Sequence, residues 1–226
     1  HLFGQLKRIT RQWLGQHLVC SGRTYPAQLL YESLADRACD RIVQAIENVP
    51  LPDRPIAALL DPFNAEGSTR HVRFTTSKPT RYKTAADRCH VNWVVCDGDW
   101  EAELCRVAEA NPHVRAYVKN QGLGLEVPYR QGTEARRYLP DFVVLVDDGQ
   151  GPEDPLHLVV EVKGFRGEDA KEKKLTMETS WVPGVNRLGR FGRWDFLELT
   201  DLWDMQKEFD ATVAALVAAG TRRKAG

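Results

Sequence analysis

YLPDFVVLVDDGQGPEDPLHLVVEVKG, residues 138–164, is the stretch whose reading decides the fold. Two apolar-rich runs, 136–148 and 156–164, flank a polar Gly/Pro loop, which is the pattern of two strands joined in a hairpin. Strand side chains alternate between faces, so Glu161 and Lys163 share one face while Leu158, Val160 and Val162 take the other. Folding the hairpin about Gly151 sets position 141 opposite position 161, within a residue or two if a bulge intervenes. Carboxylates in apolar strands are costly to bury unless paired or metal-bound, so Asp141 and Glu161 require an explanation. Two facing carboxylates are hard oxygen ligands suited to Mg²⁺ or Mn²⁺, and the backbone carbonyl of Val162 adds a third. Lys163 beside them is placed to orient water or to stabilise charge growing on a phosphate. This is equipment for phosphodiester hydrolysis by metal-activated water.

The acid-x-Lys tripeptide by itself carries little weight, since about one is expected in a chain of this composition. Asp169-Ala-Lys171 and Glu172-Lys-Lys174 are decoys in a polar helical run, and Pro52-Asp53 lies in a Pro-broken stretch. Only Pro140-Asp141 with Glu161 to Lys163 has strands on both sides.

Working outward, residues 136–148 read as one long strand, VRAYVKN and LEVPYR as strands about a Gly122 and Gly124 turn, and WEAELCRVAEA as a helix capped by Asp97 or Asp99. After Lys163 come a polar helix, EDAKEKKLTMET, a breaker at Pro183-Gly184, a strand WDFLELTD and a closing amphipathic helix. The order from residue 100 is helix, strands, helix, strand, helix, an α/β arrangement. Upstream, Leu6, Ile9, Trp13 and Leu14 mark one helix, and Leu29, Leu30, Leu34, Ala38, Ile42, Val43 and Ile46 a second packed on it. Pro50, Pro52, Pro55 and Pro62 then break the chain and mark a soft boundary.

Thirty-one basic residues balance thirty-one acidic ones, and 42% of the 226 residues are hydrophobic, which fits folded soluble domains and not a disordered chain. No run approaches the about 18 apolar residues of a membrane span. Five cysteines without a CxxC pattern point to a reducing cytoplasm and not to a disulfide framework. A zinc site from Cys89, His90, Cys96 and Cys105 lacks the paired ligands such a site needs, and none of the six His shows ligand spacing. Arg70, Arg73, Lys78, Arg81, Lys83 and Arg88, with Phe74 and Tyr82 among them, form a basic run that suits either a solvated face or a phosphate backbone. No Walker A pattern is present, so this stretch should not hydrolyse ATP itself. The opening HLFGQLKRIT has neither an initiator Met nor a leader pattern and reads as part of a longer polypeptide.

Pro-Asp, about twenty residues, then Glu-x-Lys at the end of an apolar strand resembles the PD-(D/E)XK nuclease superfamily. The strings CHVNWVVCDGDWEAE, RAYVKNQGLGLEVPY, YLPDFVVL, EVKGFRGEDAKEKK and WVPGVNRLGRFGRW are similar to the C-terminal endonuclease region of type III restriction enzyme Res subunits and related helicase-nucleases. The resemblance covers roughly residues 70–201. It implies a restriction-endonuclease-like core of helix, mixed β-sheet hairpin, helix and strand at 70–226, preceded by a helical segment, 1–69, continuing from a helicase region.

The resemblance makes Asp141 and Glu161 metal ligands and Lys163 the catalytic lysine, and it expects an acid on the first core helix, for which Glu101 is the better candidate than Glu103. Glu101 also reads as a first-turn acid favouring the helix dipole. Lys171 and Lys174, one turn apart, read as phosphate contacts or as a solvated face paired with Glu168 and Glu172. Arg187, Arg190 and Arg193, interleaved with Phe191 and Trp194, suit the DNA backbone. The implied cofactor is Mg²⁺, with Mn²⁺ substituting, and ATP enters only through the absent motor. The implied partners are double-stranded DNA, the helicase/ATPase region of the same chain and a methyltransferase subunit, with no membrane. A catalytically idle DNA-binding or docking module and a repair nuclease of the same fold are the alternatives. Water activation predicts cleavage that rises from mildly acidic to mildly alkaline pH.

Overall fold

The computed structural model describes residues 2–31, 33–39, 41, 67–131, 134–162 and 169–224, and the chain divides into two units, His1–Val49 and Pro50–Gly226. In the first, α1 spans Leu2–His17, Pro26–Leu30 forms a 3₁₀ turn and residues 33–39 are helical. The second apolar run is therefore not one helix from Leu29. Pro26 opens the 3₁₀ turn and Tyr31 closes it with extended backbone at ψ 126°, leaving Leu30 88% exposed. Ile42, Val43, Ile46 and the four prolines lie outside the described residues.

The second unit is mixed α/β. Strands β1 (Arg81–Lys83) and β2 (Trp93–Val95) pair antiparallel. Then come α2 (Asp99–Ala110), β3 (Val114–Lys119), an antiparallel hairpin of β4 (Val127–Gln131) and β5 (Glu134–Tyr138), β6 (Phe142–Val146) and β7 (Leu156–Val162). Helices α3 (Ala170–Thr176) and α4 (Val182–Leu188), joined by a π-helical turn at Met177–Trp181, lead to β8 (Arg193–Leu199) and α5 (Met205–Lys224). The main sheet runs β3-β6-β7-β8, antiparallel except for the parallel β7–β8 pair, which the helical crossover makes possible.

The β6–β7 hairpin pairs Phe142 with Val160 and Val146 with Leu156, a register centred on Gly151 as expected. Gly149 and Gly151 adopt φ of +82° and +99° there, a region other residues avoid. The long strand read over 136–148 is in fact two strands in different sheets. Pro140 has no N–H to extend a ladder, and Asp141 turns its carbonyl to the N–H of Asn120 at 2.7 Å. Pro183 and Gly184 do not break the chain: Pro183 occupies the first turn of α4, where a missing N–H costs nothing. Gly98, and not Asp97 or Asp99, is the N-cap of α2, while the Asp97 N–H donates back to Glu101 Oε2 at 2.7 Å.

The sheet buries two different faces. Phe142, Val144, Val146, Leu156, Leu158, Val160, Leu197 and Leu199 pack under α2 and α5, with Leu104, Val107, Phe209 and Val213 opposite them. Burying such side chains contributes roughly 1.5–3 kcal/mol each. On the other face, Val159 meets Val127, Tyr129 and Tyr138 of the hairpin and Met177 of the π turn. Among the described residues no helix is long and apolar enough to cross a membrane.

Candidate active site

Alternation along β6 and β7 turns Asp141 and Glu161 toward the hairpin side of the sheet, because their neighbours Phe142 and Val160 point into the α2–α5 core. Asp141 is anchored twice: its carbonyl accepts from Asn120, and its Oδ2 accepts from the Val162 N–H at 2.8 Å. Asn120 is itself held by Leu125, donating through Nδ2 at 2.7 Å and accepting through Oδ1 at 3.0 Å. The carboxylate that opens β6 is thereby fixed against the end of β7, with Glu161 buried beside it.

Sequence reasoning missed a third carboxylate. Glu198 is the parallel partner of Glu161 across β7–β8, and its side chain is only 5% exposed. It follows Trp194 and Phe196 on one strand face, so the test applied to Asp141, an acid inside an apolar strand, would have found it. Lys174 reaches Glu198 at 3.5 Å and Glu178 at 3.9 Å. Tyr138, buried at 6% exposure, lies close enough to this row to feel its charges. Burial, and then the charges of Glu161, Asp141 and Glu198, push its hydroxyl well above the ordinary tyrosine range, so it stays protonated. Lys173 lies 5.4 and 5.5 Å from the ring centres of Tyr129 and Tyr138 and pairs with Asp169 at 3.0 Å.

Glu101 has other company. Its Oε2 meets Lys119 Nζ at 2.6 Å, and Lys119 also donates to the Val95 carbonyl at 2.8 Å and lies 3.4 Å from Asp97. Burial lowers the affinity of Lys119 for its proton, but Glu101 and Asp97 outweigh it and the lysine is held above its usual range. Lys119 is the cross-strand partner of Phe142 and shares its face, so this ion pair occupies the α2 side of the sheet. The structure thus brings Asp141 and Glu161 together and does not bring Glu101 to them. Lys163 lies outside the described residues, as does Glu168.

The cations divide similarly. Lys171, Lys174, Arg187 and Arg190 are exposed in the α3–α4 layer, which packs on the face carrying Asp141 and Glu161. Arg190 lies over Phe191 at 4.7 Å. Arg193 is a correction to the sequence reading, because its guanidinium is taken up by Asp148 at 2.5 and 2.7 Å and by Asp154 at 2.7 Å, which clamps the hairpin loop to β8. It is also paired with Leu156, at the far end of β7 from Glu161. Within the basic run, Lys78 pairs with Asp97, Arg88 donates to the Val114 carbonyl, and Arg81 lies 5.4 Å over Trp93. Cys89, Cys96 and Cys105 are buried core thiols.

Among the described residues no group of three or more His, Cys, Asp or Glu side chains is placed to hold a metal ion. What Asp141, Glu161 and the Val162 carbonyl offer is an all-oxygen set with two carboxylates. That set fits Mg²⁺, which takes one or two carboxylates and fills its remaining positions with water and phosphate. No family model, no curated protein and no solved structure matches the chain.

Proposed function

We propose that the Pro50–Gly226 unit is a divalent-metal-dependent DNA endonuclease with a restriction-endonuclease-like core, hydrolysing phosphodiester bonds in the cytoplasm as the nuclease part of a type III-like restriction enzyme. The observation that carries this reading is the placing of Asp141 and Glu161 on one face of adjacent strands, with Asp141 locked to the Val162 N–H. The order α2, β3, β6, β7, helical crossover, β8 supports it at the level of topology.

Asp141 and Glu161 would hold the ion, with the Val162 carbonyl as a further ligand. A bound Mg²⁺ or Mn²⁺ supplies Lewis-acid polarisation of a phosphoryl oxygen and lowers the pKa of water. The Val162 N–H keeps the Asp141 carboxylate oriented, as supporting groups do for metal ligands generally, while the Asn120 N–H fixes the Asp141 backbone through its carbonyl. Lys163, following on β7, is assigned to stabilise the charge that grows on the phosphate. Lys171, Arg187 and Arg190 present positive charge on the same side of the sheet and would track the DNA backbone. The helicase region and the methyltransferase subunit are the partners this reading requires.

Supercoiled plasmid incubated with Mg²⁺ or Mn²⁺ tests it. Wild type should nick and linearise, Asp141→Ala should neither cut nor bind metal, and Lys163→Ala should bind metal without cutting. A wild-type chain that neither cuts nor shows Asp141-dependent Mn²⁺ binding would leave the docking-module reading in its place.

A further inference from the structure

We propose that Tyr138 is a substrate contact of this site, its hydroxyl donating a hydrogen bond to a non-bridging oxygen of the phosphate at Asp141 and Glu161. The assignment rests on the nuclease reading above and adds a neutral donor that the sequence did not single out.

Three observations carry it. First, Tyr138 is 94% buried by its 6% exposure, and among the described residues its Oη has no hydrogen-bond partner. Buried hydroxyls nearly always have one, so an orphaned one calls for an explanation. Second, the ring cannot swing away to find a partner. It meets Tyr129 edge-to-face at 5.8 Å, packs with Val159 and Met177, and has Lys173 over its face. Third, Tyr138 ends β5 three residues before Asp141, on the sheet face that carries Glu161 and Glu198.

The chemistry follows from charge. A carboxylate row repels a phosphate, and a further anion there would add to the repulsion. A protonated hydroxyl donates without adding charge, and it becomes most valuable as negative charge accumulates on the phosphoryl oxygens.

Tyr138→Phe in the full chain is the test, because it removes one oxygen and keeps the ring. Relative to wild type, kcat for duplex DNA should fall about tenfold to a hundredfold, with Mn²⁺ affinity by calorimetry unchanged. The melting temperature should stay level or rise by about 2–4 °C, as an unsatisfied buried hydroxyl has been removed. Duplexes carrying sulphur at one non-bridging position, in the Rp or the Sp configuration, supply the direct readout, since sulphur is a poor acceptor. The ratio of wild-type to variant rate should approach one on a single configuration. Equal cleavage of oxygen DNA by variant and wild type overturns the assignment, as does an equal deficit on both thio-substrates or a melting temperature several degrees lower. A wild-type chain that neither cuts nor binds Mn²⁺ overturns the nuclease reading, and Tyr138 with it; one that cuts while Tyr138→Phe keeps pace overturns Tyr138 alone.

Discussion

Two acidic clusters flank the same end of the main sheet, one on each face, and the protein treats them differently. On the α2 side, Glu101 is answered from within: Lys119 at 2.6 Å and the Asp97 N–H at 2.7 Å take up its oxygen, and Lys119 reaches the Val95 carbonyl as well. Glu109, further along α2, is equally closed, accepting from Tyr117 at 2.7 Å, Tyr82 at 2.9 Å and the Ala85 N–H at 2.7 Å. On the hairpin side, Asp141, Glu161 and Glu198 crowd one row below a tyrosine hydroxyl that bonds to nothing described. Buried polar groups that satisfy one another rigidify a fold, whereas a buried hydroxyl with no partner calls for an explanation. Under the proposed function, the first cluster serves stability and the second serves chemistry.

Activity should separate them most widely. Asp141→Asn is expected to lower plasmid cleavage by at least about a hundredfold while the melting temperature changes little. Glu101→Gln is expected to cut within a few-fold of wild type once the folded fraction is accounted for. Loss of cleavage in a fully folded Glu101→Gln chain would join the two clusters into one site and restore the catalytic role that the family resemblance implies.

Stability should separate them in the opposite sense. Lys119→Met leaves the Glu101 carboxylate, 11% exposed, without its cation, and should destabilise the chain by about 2–4 kcal/mol in urea unfolding. The double variant Glu101→Leu with Lys119→Met should recover most of that loss, since a packed apolar pair can replace a buried ion pair. If the double variant is no better than the single, the pair contributes more than charge balance.

How far these clusters were legible depends on the range of the interactions that build them. The hairpin and its register were readable because alternation and a Gly/Pro loop are local signals, and the observed pairing of Phe142 with Val160 follows from them. Glu198 was not read, because it joins the row only through a parallel strand that returns after two helices. Arg193 was misread because its partners, Asp148 and Asp154, lie in a loop 45 and 39 residues earlier, and nothing near Arg193 in the chain announces them. The split between β5 and β6 had a visible marker in Pro140, whose missing N–H ends the ladder where the site begins. Tyr138 was visible as a residue of the Pro-Asp string, but its buried hydroxyl is a fact of packing alone.

The closed face can be broken at its far end as well. A Cβ at Gly220 on α5 would fall 2.5 Å from Asp148 Oδ2 and 2.7 Å from the Asp148 carbonyl. Asp148 cannot yield, because Arg193 grips its carboxylate, and Gln150 further ties the loop to the Gly220 carbonyl at 2.6 Å. Gly220→Ala should therefore cost about 1–3 kcal/mol despite the better helix propensity of alanine, as overpacking does elsewhere. A stabilised variant would show that α5 does not press on the loop.

The smallest effect is expected from His157, which stacks on Trp194 at 4.4 Å on the hairpin side of the sheet. Burial dominates its titration and holds it below the ordinary histidine range, against weaker backbone contributions at Arg193 and Pro155. A histidine whose folded pKa is depressed binds fewer protons in the native chain than in the unfolded one. Its contribution to stability is thus complete above the unfolded value of about 6.5 and is lost as pH falls through the lower folded value, with a slope of no more than about 1.4 kcal/mol per pH unit. His157→Phe keeps the stack and removes the proton, so urea unfolding between pH 7 and pH 5 should be flatter than in wild type, while cleavage at pH 8 is unchanged. An unaltered slope would mean that His157 titrates alike in both states, and that its burial beneath Trp194 is opened by water.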